Sequence, residues 1–179
     1  MSVLIFLILL ILVLILAFLG LFMSLQAIYW LITGVPFVNS KKKVIFSIMK
    51  EIKIEPGKNF YDLGCGDGRV ISYLAKNNPQ ANFIGYEKNP SLIWAAKIFR
   101  RFPNVQYENK DFFKIDLSKV DYIFLFLFPE LMDKLLPKLE KELKPGTIII
   151  SNSFKFSGKA PFKALESPVA LESLYFYQF

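Results

Sequence analysis

The ten residues YDLGCGDGRV, Tyr61–Val70, place three glycines at alternate positions between a short apolar run and the start of a predicted helix. The spacing is G-x-G-x-G, which differs from the G-x-G-x-x-G fingerprint of dinucleotide-binding folds. Glycine permits unusual backbone conformations and lets a ligand approach the bare main chain. The stretch therefore predicts a ligand-binding turn from strand to helix at the carboxyl end of a sheet, where open α/β folds bind ligands.

The chain on both sides of this turn alternates between strand-like and helix-like patterns. The predicted strands are NFYDL (59–63), NFIGYE (82–87), NVQYEN (104–109), DYIFLFLF (121–128) and GTIIISNSF (146–154). The predicted helices between them are DGRVISYLAKN (67–77), PSLIWAAKIFRRF (90–102) and PELMDKLLPKLEKEL (129–143). This alternation predicts an α/β fold with a Rossmann-like parallel sheet covered by helices on both faces.

Two further helix predictions depend on single residues. Asn39 or Ser40 is predicted to cap a helix ahead of the first strand. The apolar face predicted for that helix contains Val44, Ile45, Ile48, Met49 and Ile52. Pro137 interrupts the segment 129–143, so we expect two short helices or a kink there.

The N-terminal segment predicts a membrane anchor. Residues 1–40 carry no charged side chain, and the 21-residue run Val3–Met23 is apolar apart from Gly20. At about 1.5 Å per helical residue, a helix formed by this run is about as long as the hydrocarbon core of a bilayer is thick, about 30 Å. The alternative, a cleaved signal peptide, would have a shorter apolar stretch preceded by positive charge. We therefore expect an anchor with an interfacial extension over residues 1–34 and a globular domain over residues 35–179.

The positive charges lie on one side of the predicted span. Lys41–Lys43 follow it, and three more lysines come by residue 58, whereas no Lys or Arg precedes it. Positive charge marks the cytoplasmic side of a membrane span. The sequence thus predicts a single-pass membrane protein with its domain facing the cytoplasm. Its net charge of +7 would also attract anionic lipid headgroups to the domain.

Composition excludes several kinds of chemistry. The chain has no histidine and one cysteine, Cys65. Histidine is the commonest metal ligand and the commonest general base near pH 7. Zinc hydrolases, Ser-His-Asp enzymes and disulfide frameworks are therefore poor interpretations.

Acidic residues beside the glycines indicate the charge of the ligand. Asp62 precedes the turn and Asp67 lies within it, where both would repel a pyrophosphate and favour ammonium and sulfonium groups. Glu87 ends the second predicted strand 19 residues after Gly68, in the position from which a carboxylate accepts both hydroxyls of a ribose.

Two residues after the third predicted strand suit an adenine ring. Asp111 can accept a hydrogen bond from the exocyclic amine, and Phe112 can stack on the ring. Taken alone, Asp111 is as well explained as a helix cap and Phe112 as a core aromatic. Together with Glu87 and the glycines, they predict a nucleoside that carries an amino acid.

The motifs YDLGCGDGRV, GYE and NKDFF, in this order, resemble the class I S-adenosylmethionine-dependent methyltransferases. The resemblance covers about residues 41–156 and implies S-adenosyl-L-methionine as the cofactor. It implies that Asp62 and the three glycines line the methionine part, that Glu87 holds the ribose, and that Asp111 and Phe112 hold the adenine. The predicted cofactor-binding residues of the fold are Asp62, Gly64, Cys65, Gly66, Asp67, Gly68, Glu87, Lys88, Asp111 and Phe112. Cys65 fills a variable motif position and is interpreted as a small packing residue.

A narrower resemblance is to the small membrane-anchored protein-lysine methyltransferases. This family includes the mitochondrial enzymes that modify the c-ring protein of ATP synthase and the adenine nucleotide translocase, with prokaryotic relatives. The matching features are the N-terminal membrane segment, GVPFVNS, the glycine turn and LFLFPELMDKLLPKLEKEL. In that family the segment before the fold helps to enclose the cofactor. The matching positions here are Pro36, Phe37, Val38 and Asn39.

The methyl acceptor is expected after the fourth strand, at the same end of the sheet as the cofactor. The predicted positioning residues are Leu127, Phe128, Pro129 and Glu130. Glu130 can accept hydrogen bonds from a substrate ammonium, or it can simply stabilise the first turn of a helix.

The expected partners are a lipid bilayer and a membrane-associated protein substrate. The alternatives are a membrane small molecule as acceptor, or an inactive cofactor-binding module. Nucleic acid is not expected, because no Asn-Pro-Pro-Tyr type sequence follows the strand.

Overall fold

The computed structural model describes residues 3–33 and 38–179, which belong to two separate units. The first unit contains one helix, α1 (Val3–Thr33). Its part Val3–Leu25 is long enough and apolar enough to cross a membrane, a conclusion that rests on length and composition. The second unit is the domain Asn39–Phe179.

The domain alternates strands and helices as its sequence predicts. Its helices are α2 (Lys42–Glu51), α3 (Arg69–Asn77), α4 (Pro90–Phe99) and α5 (Pro129–Glu142), with a 3-10 turn at Phe112–Lys114. Its strands are β1 (Asn59–Leu63), β2 (Asn82–Glu87), β3 (Val105–Asn109), β4 (Tyr122–Leu125), β5 (Ile148–Asn152), β6 (Lys163–Leu165) and β7 (Leu174–Gln178). The fourth strand is shorter than predicted, because it ends at Leu125 rather than at Phe128.

The seven strands form one sheet in the order β3-β2-β1-β4-β5-β7-β6. Strands β1 to β5 pair in parallel, which confirms the predicted parallel sheet. The chain runs outward from β1 to β3 and then returns to place β4 on the other side of β1, so the strand order reverses there. Ligands bind at the carboxyl ends of the strands at such a reversal.

The last two strands were not predicted, and they are antiparallel. β7 pairs with β5, with Leu174 opposite Asn152, and β6 pairs with β7. The 3-residue β6 is too short for a periodic pattern, and β7 is a continuous apolar and aromatic run. Such a run does not reveal strand direction, which depends on the partner strand.

Helices cover both faces of the sheet, as predicted. Since alternate residues of a strand point to opposite faces, Phe60 and Phe124 pack with α2, α3 and α4, whereas Leu63 and Ile123 pack with α5. The fold class is therefore confirmed as a Rossmann-like α/β sheet with helices on both faces.

The predicted cap of α2 is wrong. The cap residue is Lys41, which is extended (φ −70°, ψ 147°) and makes no side-chain cap hydrogen bond. The helix thus begins later than Asn39 or Ser40 would set it, and Ser40 is buried instead. The predicted apolar face is largely confirmed: Val44, Ile45 and Ile48 are buried and Met49 and Ile52 partly so.

Of the two alternatives predicted for Pro137, two short helices are wrong, because α5 is continuous through it, and the kink stays a prediction. A proline inside a helix removes one backbone hydrogen bond. Here Pro137 is exposed, while Met132 and Leu135 before it and Leu139 after it are fully buried. Burial on both sides of the proline holds the two halves on the same face of the sheet.

Candidate active site

The glycine turn links β1 to α3 with a left-handed backbone. Gly64, Gly66 and Gly68 have φ values of 87°, 55° and 76°, a region that other L-residues rarely adopt. A Cβ on Gly68 would lie 2.6 Å from the ring of Tyr107, and one on Gly64 would lie 3.2 Å from the Leu127 side chain. Packing inside the protein therefore requires glycine at position 68, and at position 64 it leaves only tight space for a Cβ, in addition to any ligand.

Asp62, at the end of β1, is a buried carboxylate without a full set of partners. Its side chain is 2% exposed, and its Oδ2 has no hydrogen-bond partner among the described residues. Burial raises the pKa of Asp62 well above its ordinary value, and the carboxylates of Glu87 and Asp67 raise it further. A buried polar group without a partner costs free energy. Asp62 is thus suited to a cationic or hydrogen-bond-donating ligand group such as an ammonium.

Glu87 lies directly against the glycine turn, although 21 residues separate it from Gly66. Its Oε2 accepts from the backbone N–H of Gly66 at 3.1 Å, and its Oε1 accepts from the N–H of Asn89 at 2.8 Å. The parallel pairing of β1 with β2 creates this contact, because it sets Asp62 opposite Gly85 and Leu63 opposite Tyr86. The structure thereby brings together the carboxylates of Asp62 and Glu87 and the left-handed glycines.

Lys88 follows β2 and Asp111 follows β3, so both lie at the same carboxyl edge of the sheet. Asp111 caps the 3-10 turn: its Oδ1 accepts from the N–H of Phe113 at 3.0 Å, and its Oδ2 is 3.5 Å from Lys88 Nζ. The Phe112 ring is partly buried, with its centroid 4.8 Å from that of Phe113. The capping interpretation of Asp111 is confirmed, and its contact with adenine stays a prediction.

Asp67 and Cys65 have structural partners within the turn. Asp67 accepts from the N–H of Arg69 at 3.2 Å and forms an ion pair with Arg100 at 3.4 Å. Cys65 is buried, and burial raises the pKa of its thiol. A Cβ on Gly85 would lie 2.8 Å from Cys65 Sγ, so the interpretation of Cys65 as a packing residue agrees with its surroundings.

The predicted acceptor region follows β4 at the same edge. Leu127 is buried, Phe128 is the cap residue of α5, and Pro129 and Glu130 are exposed in its first turn. The Phe128 ring centroid lies 5.7 Å from that of Phe154, which follows β5. The region thus presents an aromatic surface, with Leu127 against Gly64 of the glycine turn. Glu130 is exposed in the first turn of α5, where it agrees with the helix-dipole alternative, and its contact with a substrate ammonium stays a prediction.

Sequence reasoning missed Asn152, the last residue of β5. Its side chain is fully buried, and its Nδ2 has no hydrogen-bond partner among the described residues. Its Oδ1 accepts from the hydroxyl of Ser153, which itself has a left-handed φ of 71°. The polar run SNS, directly after the apolar core of a strand, is the signal that would have identified this position.

The segment ahead of the domain is only partly described. Pro36 and Phe37 lie outside the described residues, and Val38 and Asn39 are exposed. Their role in enclosing the cofactor stays a prediction.

Comparison with known proteins identifies a family. A family model described as the ANTKMT methyltransferase domain matches residues 62–163, which include the glycine turn and the acceptor region. The chain is 33% identical over 141 residues to a protein-lysine N-methyltransferase of Saccharolobus islandicus, covering 74% of this chain and 84% of that protein. It is also 31% identical to the mouse adenine nucleotide translocase lysine N-methyltransferase, over 67% of this chain and 53% of that enzyme, so it spans about half of that enzyme's length.

A solved structure supports the fold and the cofactor. The crystal structure of an RNA methyltransferase from Salinibacter ruber in complex with S-adenosyl-L-homocysteine has a TM-score of 0.74 with this chain at 27% identity. The match covers 79% of this chain and 93% of that one. The chain belongs to the ANTKMT methyltransferase family, and it is an S-adenosylmethionine-dependent methyltransferase.

Proposed function

We propose that this chain is a membrane-anchored protein-lysine methyltransferase whose acceptor is a lysine of a membrane-associated protein. The observation that carries the proposal is the buried carboxylate of Asp62, whose Oδ2 has no hydrogen-bond partner among the described residues, beside Glu87 and the left-handed glycine turn. The lysine acceptor is supported by the names of the relatives from Saccharolobus islandicus and mouse. The membrane location is supported by the apolar part of α1.

The residues of the carboxyl edge would hold the cofactor in three parts. Asp62, with the backbone of the glycine turn, suits the ammonium of the methionine part. Glu87, already tied to the turn through Gly66, suits the ribose hydroxyls, and Asp111 with Phe112 suits the adenine. When bound, S-adenosylmethionine supplies a methyl group on a positively charged sulfur, which is already activated for transfer.

The acceptor side must present a neutral amine and exclude water. Leu127, Phe128 and Phe154 supply apolar and aromatic surface beside the turn. Burial against such surface disfavours the charged form of a lysine and lowers its pKa, so the amine loses its proton to solvent as it enters. Positioning and desolvation then contribute to the rate, and the proposal needs no side chain as general base.

The topology of the anchor is tested separately. Because every Lys and Arg follows α1, a reporter fused to the C-terminus should be cytoplasmic, and the protein should resist carbonate extraction. A reporter signal from the opposite side of the membrane contradicts the cytoplasmic orientation, and a mature protein that lacks α1 contradicts the anchor.

The acceptor is tested by incubating the purified full chain and methyl-labelled cofactor with native membranes. Label in a discrete protein band, released as methyl-lysine on acid hydrolysis, is the expected result. The matched control is Asp62→Asn, which should label nothing. Label only in the lipid extract favours a membrane small molecule, and label only in RNA favours a nucleic-acid acceptor. No label with cofactor binding intact favours an inactive module.

A further inference from the structure

The loop of residues 166–173 lies at the carboxyl edge of the sheet. It joins β6 to β7, and β7 begins at Leu174, which is opposite Asn152 at the carboxyl end of β5. The N–H of Ser153 donates to the carbonyl of Ser173 at 2.8 Å. The loop therefore shares an edge of the domain with the glycine turn and the acceptor region.

The tip of this loop is apolar and exposed. It contains the sequence PVAL, in which Val169 is 45% exposed and Leu171 is 36% exposed. Leu171 also has a φ of 63°, a left-handed conformation that costs free energy for a branched side chain. Strained backbone of this kind persists where the surrounding structure holds it, and it recurs at ligand-binding and other functional sites.

Lysines from the start of α2 surround this tip. Lys41 Nζ donates to the carbonyl of Ala170 at 3.0 Å, and Lys43 Nζ lies 2.9 Å from a carboxylate oxygen of Glu172. The hydrogen bond from Lys43 is the main cause that lowers the pKa of Glu172. Lys42 between them is exposed. Lys41 also lies 3.3 Å from the Glu172 carboxylate, so the apolar tip lies beside two lysines that share Glu172 and beside the exposed Lys42.

The same contacts show at which edge the chain enters the domain. The start of α2 lies at the carboxyl edge, beside Ala170. The residues that follow α2 lie at the amino edge, because the hydroxyl of Tyr122, at the start of β4, donates to the backbone carbonyl of Lys53. Lys41 follows Thr33, the last residue of α1, by eight positions. At about 3.6 Å per extended residue, this connection reaches at most about 29 Å.

We propose that Lys41–Lys43 together with Ser167–Leu171, here called the contact patch, rest on the anionic surface of a lipid bilayer. Lysines attract anionic headgroups and short apolar groups insert among them, which matches the composition of the patch. The inference rests on the proposed function, because α1 must anchor the chain. It implies that the carboxyl edge faces the bilayer, so that the acceptor lysine is presented at the level of the headgroups.

Another exposed apolar surface provides the matched control. Phe99, at the end of α4, is 72% exposed. It precedes the loop that leads to the start of β3, at the amino edge. If exposure of apolar side chains were sufficient, this surface would contact the bilayer as readily as the contact patch. The proposal states that only the carboxyl edge does so.

The experiment uses the full chain reconstituted through α1 into nanodiscs, in phosphatidylcholine alone or in equal parts with phosphatidylglycerol. Ala170→Cys and Phe99→Cys are labelled separately with an environment-sensitive fluorophore, since Cys65 is buried. Spin-labelled lipids then quench any fluorophore near the headgroups. We expect blue-shifted, quenched emission at residue 170, enhanced by phosphatidylglycerol, and unquenched emission at residue 99.

A loop variant and a separate anchoring measurement complete the test. Val169→Asp with Leu171→Asn, where asparagine tolerates the left-handed backbone, should abolish the quenching at residue 170. If residue 170 stays as solvent-exposed as residue 99 while the protein co-elutes with the discs, the contact patch is refuted and the anchor stands. Quenching at residue 99 instead also refutes it. If the protein leaves the discs, the anchor itself is refuted, and the contact patch with it.

Discussion

Gly68→Ala tests whether the glycine turn is shaped by its own packing. Gly68 has φ 76°, and its Cβ would lie 2.6 Å, 2.8 Å and 2.9 Å from three atoms of Tyr107. Tyr107 cannot easily give way, because it is buried and its hydroxyl donates to Arg100 O at 2.9 Å. The variant should therefore incur two separate costs, one for the left-handed backbone and one for the collision with the ring.

Gly57→Ala is the matched control, because Gly57 has φ 75° and no atom lies within 4 Å of its Cβ position. The left-handed backbone costs about 1 to 2 kcal/mol in both variants. Overpacking adds about 1 to 3 kcal/mol in Gly68→Ala alone. At about 3 °C per kcal/mol for a domain of this size, the midpoint of thermal unfolding should fall by about 3 to 6 °C in Gly57→Ala and about 6 to 15 °C in Gly68→Ala.

The assay is thermal unfolding of the full chain in detergent, followed by near-ultraviolet circular dichroism so that tertiary packing of the aromatic rings is observed. Tyr107→Leu removes the ring, and in that background the additional cost of Gly68→Ala should largely disappear. Equal destabilisation by the two glycine variants, or an additional cost that survives in the Tyr107→Leu background, would refute the packing argument.

Three further predictions concern the carboxylates. Asp62→Asn should raise the unfolding temperature of the ligand-free protein, because it removes a buried carboxylate without a full set of partners. The same variant should weaken S-adenosylmethionine binding in isothermal titration. Lower stability with unchanged affinity would contradict the assignment of Asp62 to the cofactor site. Because the folded pKa of Asp62 is raised, the free energy of unfolding should fall as pH rises from the ordinary carboxyl pKa through the raised one, a dependence that Asp62→Asn should lack in denaturant titrations. Glu87→Ala should weaken cofactor binding by about 2 to 4 kcal/mol, whereas Glu140→Ala, on the exposed side of α5, should bind like the parent.

The local features of this protein were predictable from its sequence. The alternation of strands and helices, the buried face of α2 and the apolar length of α1 are properties of short windows, which periodicity and composition report directly. The glycines of the turn were equally visible, because left-handed backbone favours glycine wherever it occurs. These signals were enough to indicate the Rossmann-like fold, and the resemblance carried by the motifs implied the cofactor.

Other features depend on residues that are distant in sequence, and only the tertiary structure decided them. The antiparallel β7, the contact of Glu87 with Gly66 and the closeness of Tyr107 to Gly68 all follow from which strands pair. The burial of Asn152 Nδ2 without a partner among the described residues and the contact of Lys41 with Ala170 follow from them in turn. A window of sequence reports how a segment distributes its apolar residues, but strand order, direction and the resulting neighbours are set by long-range packing of the whole sheet.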